Sequence, residues 1–215
     1  MITSAPPDRI LDTAFRLFYA RGIRAVGVDL IIAESGVAKA TFYKHFPAKD
    51  ELVLAYLEKV DGIWTDQLRA AAEAGGPDPA GQLIGLFDAL GTACRRDGYR
   101  GCAFINAAAE AVPGTAVHER TVAHKQAVLT WLRDLTAQAG ADDPDSLARS
   151  LALLLDGGLA DGAIGADPEA PRAAQQAART LITAALAHDH PPFNSHPTAS
   201  AGAASAPPSL PSASA

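Results

Sequence analysis

The chain is 215 residues long, 48% hydrophobic, 20% charged and 6% aromatic, with a formal net charge of −6. That length suits one medium domain or two small ones and can bury a real core. No apolar run approaches the roughly 18 residues that span a bilayer, the opening MITSAPPDRILDTA lacks a basic-then-apolar leader, and Cys94 and Cys102 are too few for a disulfide framework. The expectation is a cytoplasmic protein with reduced thiols and no membrane contact. Alanine fills 47 positions and favours helix, and no alternating β pattern recurs, which predicts an all-α fold.

The elements follow in chain order. Asp8 to Ala20 reads as a helix capped by Asp8, with Ile10, Leu11, Ala14, Phe15, Leu17 and Phe18 at three- and four-residue spacings and Gly22 as its stop. Gly27–Val28–Asp29 opens a short helix, Leu30 to Ser35, closed by Gly36. Lys39 to His45 forms another, which ends where Phe46 precedes Pro47. Asp50 to Ala74 is a long helix stopped by Gly75–Gly76–Pro77, and Pro79 to Arg96 follows it. After an Asp97–Gly101 loop come Cys102 to Val112, Thr115 to Ala139, Asp145 to Ile164 and Glu169 to Ala187, about nine helices in all. From residue 190 to 215, Pro, Ser and Ala occupy 19 of 26 positions, a composition that cannot offset its ordering entropy and predicts disorder.

Charge is distributed unevenly. Residues 1–60 carry eight Lys/Arg against seven Asp/Glu, whereas residues 61–189 carry ten against seventeen. Between Glu34 and Asp50 the only charges are Lys39, Lys44 and Lys49, with His45 among them, so a cationic segment stands out in an acidic protein. That segment lies in a pair of short helices joined by a three-residue turn. Ala33 occupies the expected close approach, Gly36 the turn position that needs φ > 0, and Val37 the gap between helices. The second helix presents Lys39, Thr41, Tyr43 and Lys44 outward while Phe42 and Phe46 can pack inward. A helix of this size fits a DNA major groove.

The run Ile32-Ala33-x-x-x-Gly36-Val37-x-Lys39-x-Thr41-x-Tyr43-x-His45-Phe46-Pro47-x-Lys49-Asp50-x-Leu52 resembles the DNA-binding segment of the tetracycline-repressor (TetR) family. Ala14-x-x-Leu17-Phe18-x-x-x-Gly22 resembles that family's first helix. Two positions depart: Ala38 stands where Ser is frequent, and Gly27–Val28 where Thr is. The first removes an N-cap worth about 1 kcal/mol, and both remove hydroxyls that could meet phosphate.

The resemblance implies an all-α homodimer. Residues 1–49 would form the helix-turn-helix DNA-binding domain, 50–189 a ligand-sensing and dimerising domain, and 190–215 a disordered tail. It places Lys39, Thr41, Phe42, Tyr43, Lys44 and His45 on the recognition helix and Lys49 on the phosphate backbone. The implied partners are an operator duplex, a small-molecule effector and a second copy of the chain. Ligand candidates in the C-terminal bundle are Trp64, Phe87, Tyr99, Phe104, Asn106 and Trp131, since aromatics with a few polar groups suit a pocket. Glu110 is a further polar residue on the apolar helix that carries Asn106. The dimer face is expected to use Leu151, Leu154, Leu155, Leu159, Leu181, Ile182 and Leu186, with Gly157, Gly158, Ala160 and Gly162 permitting close approach.

Competing classes lack support. No phosphate-cradling loop, nucleophile elbow or His-Glu-x-x-His occurs, so an enzyme is not expected. His188, His190 and His196 have no acidic or cysteine partner at ligand spacing, so neither a metal nor another cofactor is expected. Cys94 and Cys102 have no flanking motif that lowers a thiol pKa. The alternatives are an all-helical enzyme and a helical adaptor without DNA binding, the latter supported by the acidic C-terminal region.

Overall fold

The computed structural model describes residues 5–165 and 169–187, and these residues form nine helices and no strand. The expected tail and the three C-terminal histidines lie outside them. Helix α1 spans Pro6–Arg21 and starts two residues earlier than Asp8 suggests. Two prolines fill its first turn, where a missing N–H costs nothing, and Asp8 sits within that turn instead of capping it. Helices α2 (Val28–Ser35) and α3 (Lys39–His45) follow, then α4 (Lys49–Ala74) and α5 (Pro79–Cys94). Helix α6 is confined to Ala103–Glu110, because Ala111 turns extended ahead of Val112–Pro113. The last three are α7 (Ala116–Gln138), α8 (Pro144–Ile164) and α9 (Ala170–Leu186).

Three helices carry side-chain caps: Asp78 Oδ2 accepts from the Gly81 N–H at 3.0 Å, Asp143 Oδ1 from the Ser146 N–H at 3.0 Å, and Thr115 Oγ1 from the His118 N–H. No side chain caps α2, α3 or α4, so these helices depend on packing.

The core forms two clusters that meet along α4. The first joins Ile10, Leu17 and Phe18 of α1, Ile31 of α2, Phe42 of α3, Leu52, Val53, Tyr56 and Leu57 of α4, and Phe104 and Ala107 of α6. The second joins Leu68 of α4 to Leu83, Leu86 and Leu90 of α5, Leu132 and Leu135 of α7, Leu151, Leu155 and Leu159 of α8, and Ile182 of α9. The helix-turn-helix core therefore reaches past residue 49 into two turns of α4 and takes in α6.

Helices α4 and α5 approach closely enough that side chains are excluded. A Cβ at Gly85 would lie 2.4 Å from the Ala71 carbonyl oxygen, and one at Gly75 would lie 2.2 Å from that of Gly81. Gly85→Ala is expected to destabilise by about 2 kcal/mol, a fall in Tm of about 4–8 °C in a thermal melt. An unchanged Tm would show that the two helices separate freely. Gly158 and Gly162, expected to admit a partner helix, serve this subunit's own packing. A Cβ at Gly158 would meet Leu90 Cδ2 at 2.5 Å, and one at Gly162 would meet Cys94 Sγ at 2.5 Å.

Candidate nucleic-acid interface

Gly36 closes α2 in the left-handed region (φ +64°), which a side chain would disfavour. Arg9 of α1 reaches across the turn and donates to the Ser35 and Gly36 carbonyls, satisfying the end of α2. Val37 fills the gap half-buried, while Ile31 and Ser35 take the inner face of α2. Ala33, expected at the close approach, is exposed, since the inner face falls on its neighbours at spacing four.

Helix α3 divides cleanly. Phe42 is 0% exposed, edge-on to Tyr43 and tilted against Phe46. It anchors the helix to the core, so among the DNA-binding candidates Phe42 is corrected to a packing residue. Lys39, Tyr43, Lys44 and His45 are exposed, and Thr41 is half-buried beside them. Lys39 Nζ lies 3.5 Å from Asp29 Oδ1 in an exposed pair, too weak to compete with phosphate. Lys49 is placed differently. Its ammonium donates to the Ile23 carbonyl at 2.6 Å, and burial pushes its pKa below the usual lysine value. It braces the turn between α1 and α2.

The surface assembled this way is a short helix carrying two lysines, a tyrosine and a histidine, held at a fixed angle by a second helix. A family model described as "Bacterial regulatory proteins, tetR family" matches residues 10–56, the segment that builds this surface. The crystal structure of SCO4454, a TetR-family transcriptional regulator from Streptomyces coelicolor, superposes with a TM-score of 0.79 at 38% identity, covering 84% of this chain and 96% of that one. The chain belongs to the TetR family.

Among other relatives of this TetR-family chain, the HTH-type transcriptional regulator YjdC of Escherichia coli is 23% identical over 156 residues, 71% of this chain and 80% of YjdC. YerO of Bacillus subtilis, an HTH-type transcriptional regulator, is 35% identical over 66 residues, which span 31% of this chain and 23% of YerO. The protein is thus a helix-turn-helix transcriptional regulator of the TetR type, with an N-terminal DNA-binding unit and a helical C-terminal domain.

Beside the DNA-binding unit lies a cavity of about 300 Å³, bounded by α1, α4, the α5–α6 loop and α6. Three of the six ligand candidates line it: Trp64, Tyr99 and Phe104. The other three do not. Phe87 belongs to the C-terminal core, Trp131 packs half-buried against that core, and Asn106 is exposed, its amide donating to the Arg100 carbonyl at 2.8 Å. Phe15 and Tyr19 of α1, Val60 and Ile63 of α4 and Leu159 of α8 are among the other walls, and the α5–α6 loop adds the charged Arg96 and Asp97. Sequence spacing gave no sign that α1 would contribute.

Both cavity tyrosines have engaged hydroxyls. Tyr99 donates to the Leu159 carbonyl at 2.9 Å, and burial raises its pKa far above the usual phenol. Tyr19 accepts from the Arg100 N–H at 3.0 Å and donates to the Gly101 carbonyl at 3.1 Å. Burial also raises the Cys94 thiol, which disfavours the reactive thiolate. Among the described residues no cluster of His, Cys, Asp and Glu could hold a metal ion.

The apolar residues expected at a dimer face divide between two environments. Leu151, Leu155, Leu159 and Ile182 are buried in this subunit's own core, Leu154 and Leu186 are half-buried, and Leu181 is exposed. The outer face of α8 adds Leu153 and Ile164, exposed at 73% and 70%.

Proposed function

We propose that the protein is a repressor that binds a near-palindromic operator as a homodimer and is released by a small molecule in the cavity beside α1. The observation that carries this reading is the outward face of α3: Lys39, Tyr43, Lys44 and His45 exposed, with Thr41 at their edge, on a helix pinned from behind by Phe42. In a dimer the two α3 helices enter successive major grooves about one helical turn apart. Lys39 and Lys44 meet phosphates or guanine edges, and Thr41 and Tyr43 hydrogen-bond phosphate oxygens. Lys49, engaged with Ile23, contributes by holding the turn that precedes α2.

The second copy docks on the outer face of α8 and α9. Leu153, Ile164 and Leu181 there would otherwise face water, and Gly157 and Ala160 between them admit a close helix. The effector takes the cavity lined by Trp64, Tyr99 and Phe104, whose size is at the small end of ligand sites. Its binding favours a setting of α4 in which the recognition helices no longer match the operator. Moving the bound fraction from 99:1 to 1:99 requires about a 10⁴-fold preference for the released state. The chain acts in the cytoplasm on chromosomal DNA and as a regulator, not as a catalyst.

The test is a titration of the purified protein against fluorescent DNA from the region upstream of its own gene, with a random duplex as control, at two salt concentrations. Preference for the upstream duplex with saturation at one dimer per site is expected. Replacing Lys39 and Lys44 with alanine is expected to weaken binding to both duplexes and to flatten the salt dependence by about two units of slope. Absence of binding to either duplex at low salt would overturn the reading.

A further inference from the structure

The turn between α1 and α2 is held from beyond the first 49 residues, by the far end of α6. Glu110, the last residue of α6, accepts the Ile23 N–H on Oε1 at 3.2 Å and the Arg24 N–H on Oε2 at 2.5 Å. Both carboxylate oxygens are thus engaged with consecutive amides, and bonds to an ionised acceptor are about twice as strong as neutral ones. The carbonyl of the same Ile23 accepts Lys49 Nζ. The sequence leaves room for this contact. A Cβ at Gly22, where φ is +88°, would come within 2.8 Å of Glu110 Oε1.

The location of the carboxylate is informative. A negative charge at a helix C-terminus opposes the helix dipole, so Glu110 weakens the eight-residue helix that carries it. What it gains lies entirely across the interface, 86 and 87 residues away in the chain. The opposite end of α6 is tied to α1 as well, through the Tyr19 hydroxyl on Arg100 and Gly101. Helix α6 is therefore a short strut, about 12 Å long, tied to α1 through Tyr19 at its start and to the α1–α2 turn through Glu110 at its end, with Phe104 facing the cavity between them.

We infer that Glu110 is a positioning residue for DNA recognition: by clasping the Ile23 and Arg24 amides it fixes the angle of the helix-turn-helix on the C-terminal domain. The inference rests on the proposed regulator function for its DNA consequence, and on geometry alone for the orientation. A shift of α6 caused by an occupant against Phe104 reaches the recognition helix through this clasp as well as through α4.

The test uses full-length wild type, Glu110→Ala and Glu110→Gln. Glu110→Gln keeps the shape and one acceptor oxygen, so it covers the case in which the alanine variant folds poorly. Residual dipolar couplings of the DNA-free protein report the orientation of residues 6–45 relative to α7 and α8. Wild type is expected to fit one orientation, Glu110→Ala to require an average over several, and Glu110→Gln to fall between. Affinity for the upstream duplex is expected to drop about tenfold in Glu110→Ala, with random-duplex affinity changed less than twofold. Wild-type couplings in Glu110→Ala would overturn the inference, as would an altered orientation with unchanged preference for the upstream duplex. A wild type that prefers neither duplex counts against the regulator reading instead, and the couplings then decide the orientation on their own.

Discussion

Phe42→Ala is expected to cost about 4 kcal/mol and to abolish DNA binding while leaving the C-terminal helices folded. Phe42 is 0% exposed and stands in the cluster that joins α1, α2 and the first turns of α4. Helix α3 is seven residues long and is preceded by Ala38, which supplies no side-chain cap. Such a helix cannot persist on local propensity, so its place rests on this one ring and on Phe46 beside it. The loss is a large share of a whole domain's stability, about 5–15 kcal/mol, so the N-terminal cluster should melt first. The second cluster, built on Leu83, Leu90, Leu151 and Leu155, contains no atom of α3. Circular dichroism is expected to show an early transition in the variant that wild type lacks. Tyr43→Ala, one residue further on, removes only the exposed ring that lies edge-on to Phe42 and should cost about 1 kcal/mol or less while weakening DNA binding. A Phe42→Ala protein within 1 kcal/mol of wild type would mean that α3 is held by something other than this ring.

What the sequence discloses about this fold follows from how local each signal is. Gly36 and the outward lysines of α3 are legible because a helix-turn-helix is built from some twenty consecutive residues. Spacing left Phe42 open between packing and DNA contact, and it misplaced Ala33, which is exposed. Helix existence was equally legible, while ends moved where a proline or an uncapped terminus decided them, as at Pro6 and Ala111. The contacts that position the DNA-binding unit are not local. Glu110 on the Ile23 and Arg24 amides, and Tyr19 on the α5–α6 loop, join residues more than eighty apart, and no periodicity reports them. Glu110 left one trace, a charge in a helix whose only other polar side chain is Asn106, without saying what it faces.

The C-terminal helices illustrate a different limit. Leu151, Leu153, Leu154 and Leu155 put apolar side chains on every side of α8, so the pattern identifies a helix covered on more than one face but not by what. The subunit's own core claims Leu151 and Leu155, and Leu153 is left outside. The cavity was half legible for a related reason. Aromatic residues were the right type to look for, yet whether a ring lines a void or fills one depends on neighbours from distant helices. Trp64 and Phe104 face the cavity, whereas Phe87 is surrounded.

Asp61→Ala is expected to destabilise by about 2 kcal/mol at pH 7, through a polar network between α4 and α7 that no local sequence pattern announces. Asp61 of α4 faces α7, where Arg120 donates to its Oδ2 at 2.6 Å and to Glu58 Oε2 at 2.9 Å. His124 Nδ1 lies 2.6 Å from Asp61 Oδ1, and the imidazole is 2% exposed, stacked parallel on Phe104 at 3.6 Å. Burial alone would raise the Asp61 pKa, but the hydrogen bonds from Arg120 and His124 outweigh it and hold the carboxyl below 3.8. Burial lowers His124 below 6.5, opposed only in part by Asp61. At neutral pH the network is therefore a carboxylate accepting from a neutral imidazole and a guanidinium.

The pH dependence follows from linkage. The native state resists protonating His124, while the unfolded chain takes up that proton as pH falls below 6.5, so stability declines from there toward the lowered native value. A second loss sets in below 3.8, as Asp61 protonates more readily in the unfolded chain. Urea unfolding at pH 7 and pH 5.5 is expected to find wild type weaker at the lower pH, with the difference reduced in His124→Gln. Equal stability of wild type at both pH values would contradict this account, and so would an Asp61→Ala protein as stable as wild type. The consequence reaches the cavity, because Phe104 is braced by His124 on one side, and the Arg120 guanidinium lies 5.6 Å from its ring centre. Removing Asp61 frees both, so the wall that a ligand would press against loses its backing on α4.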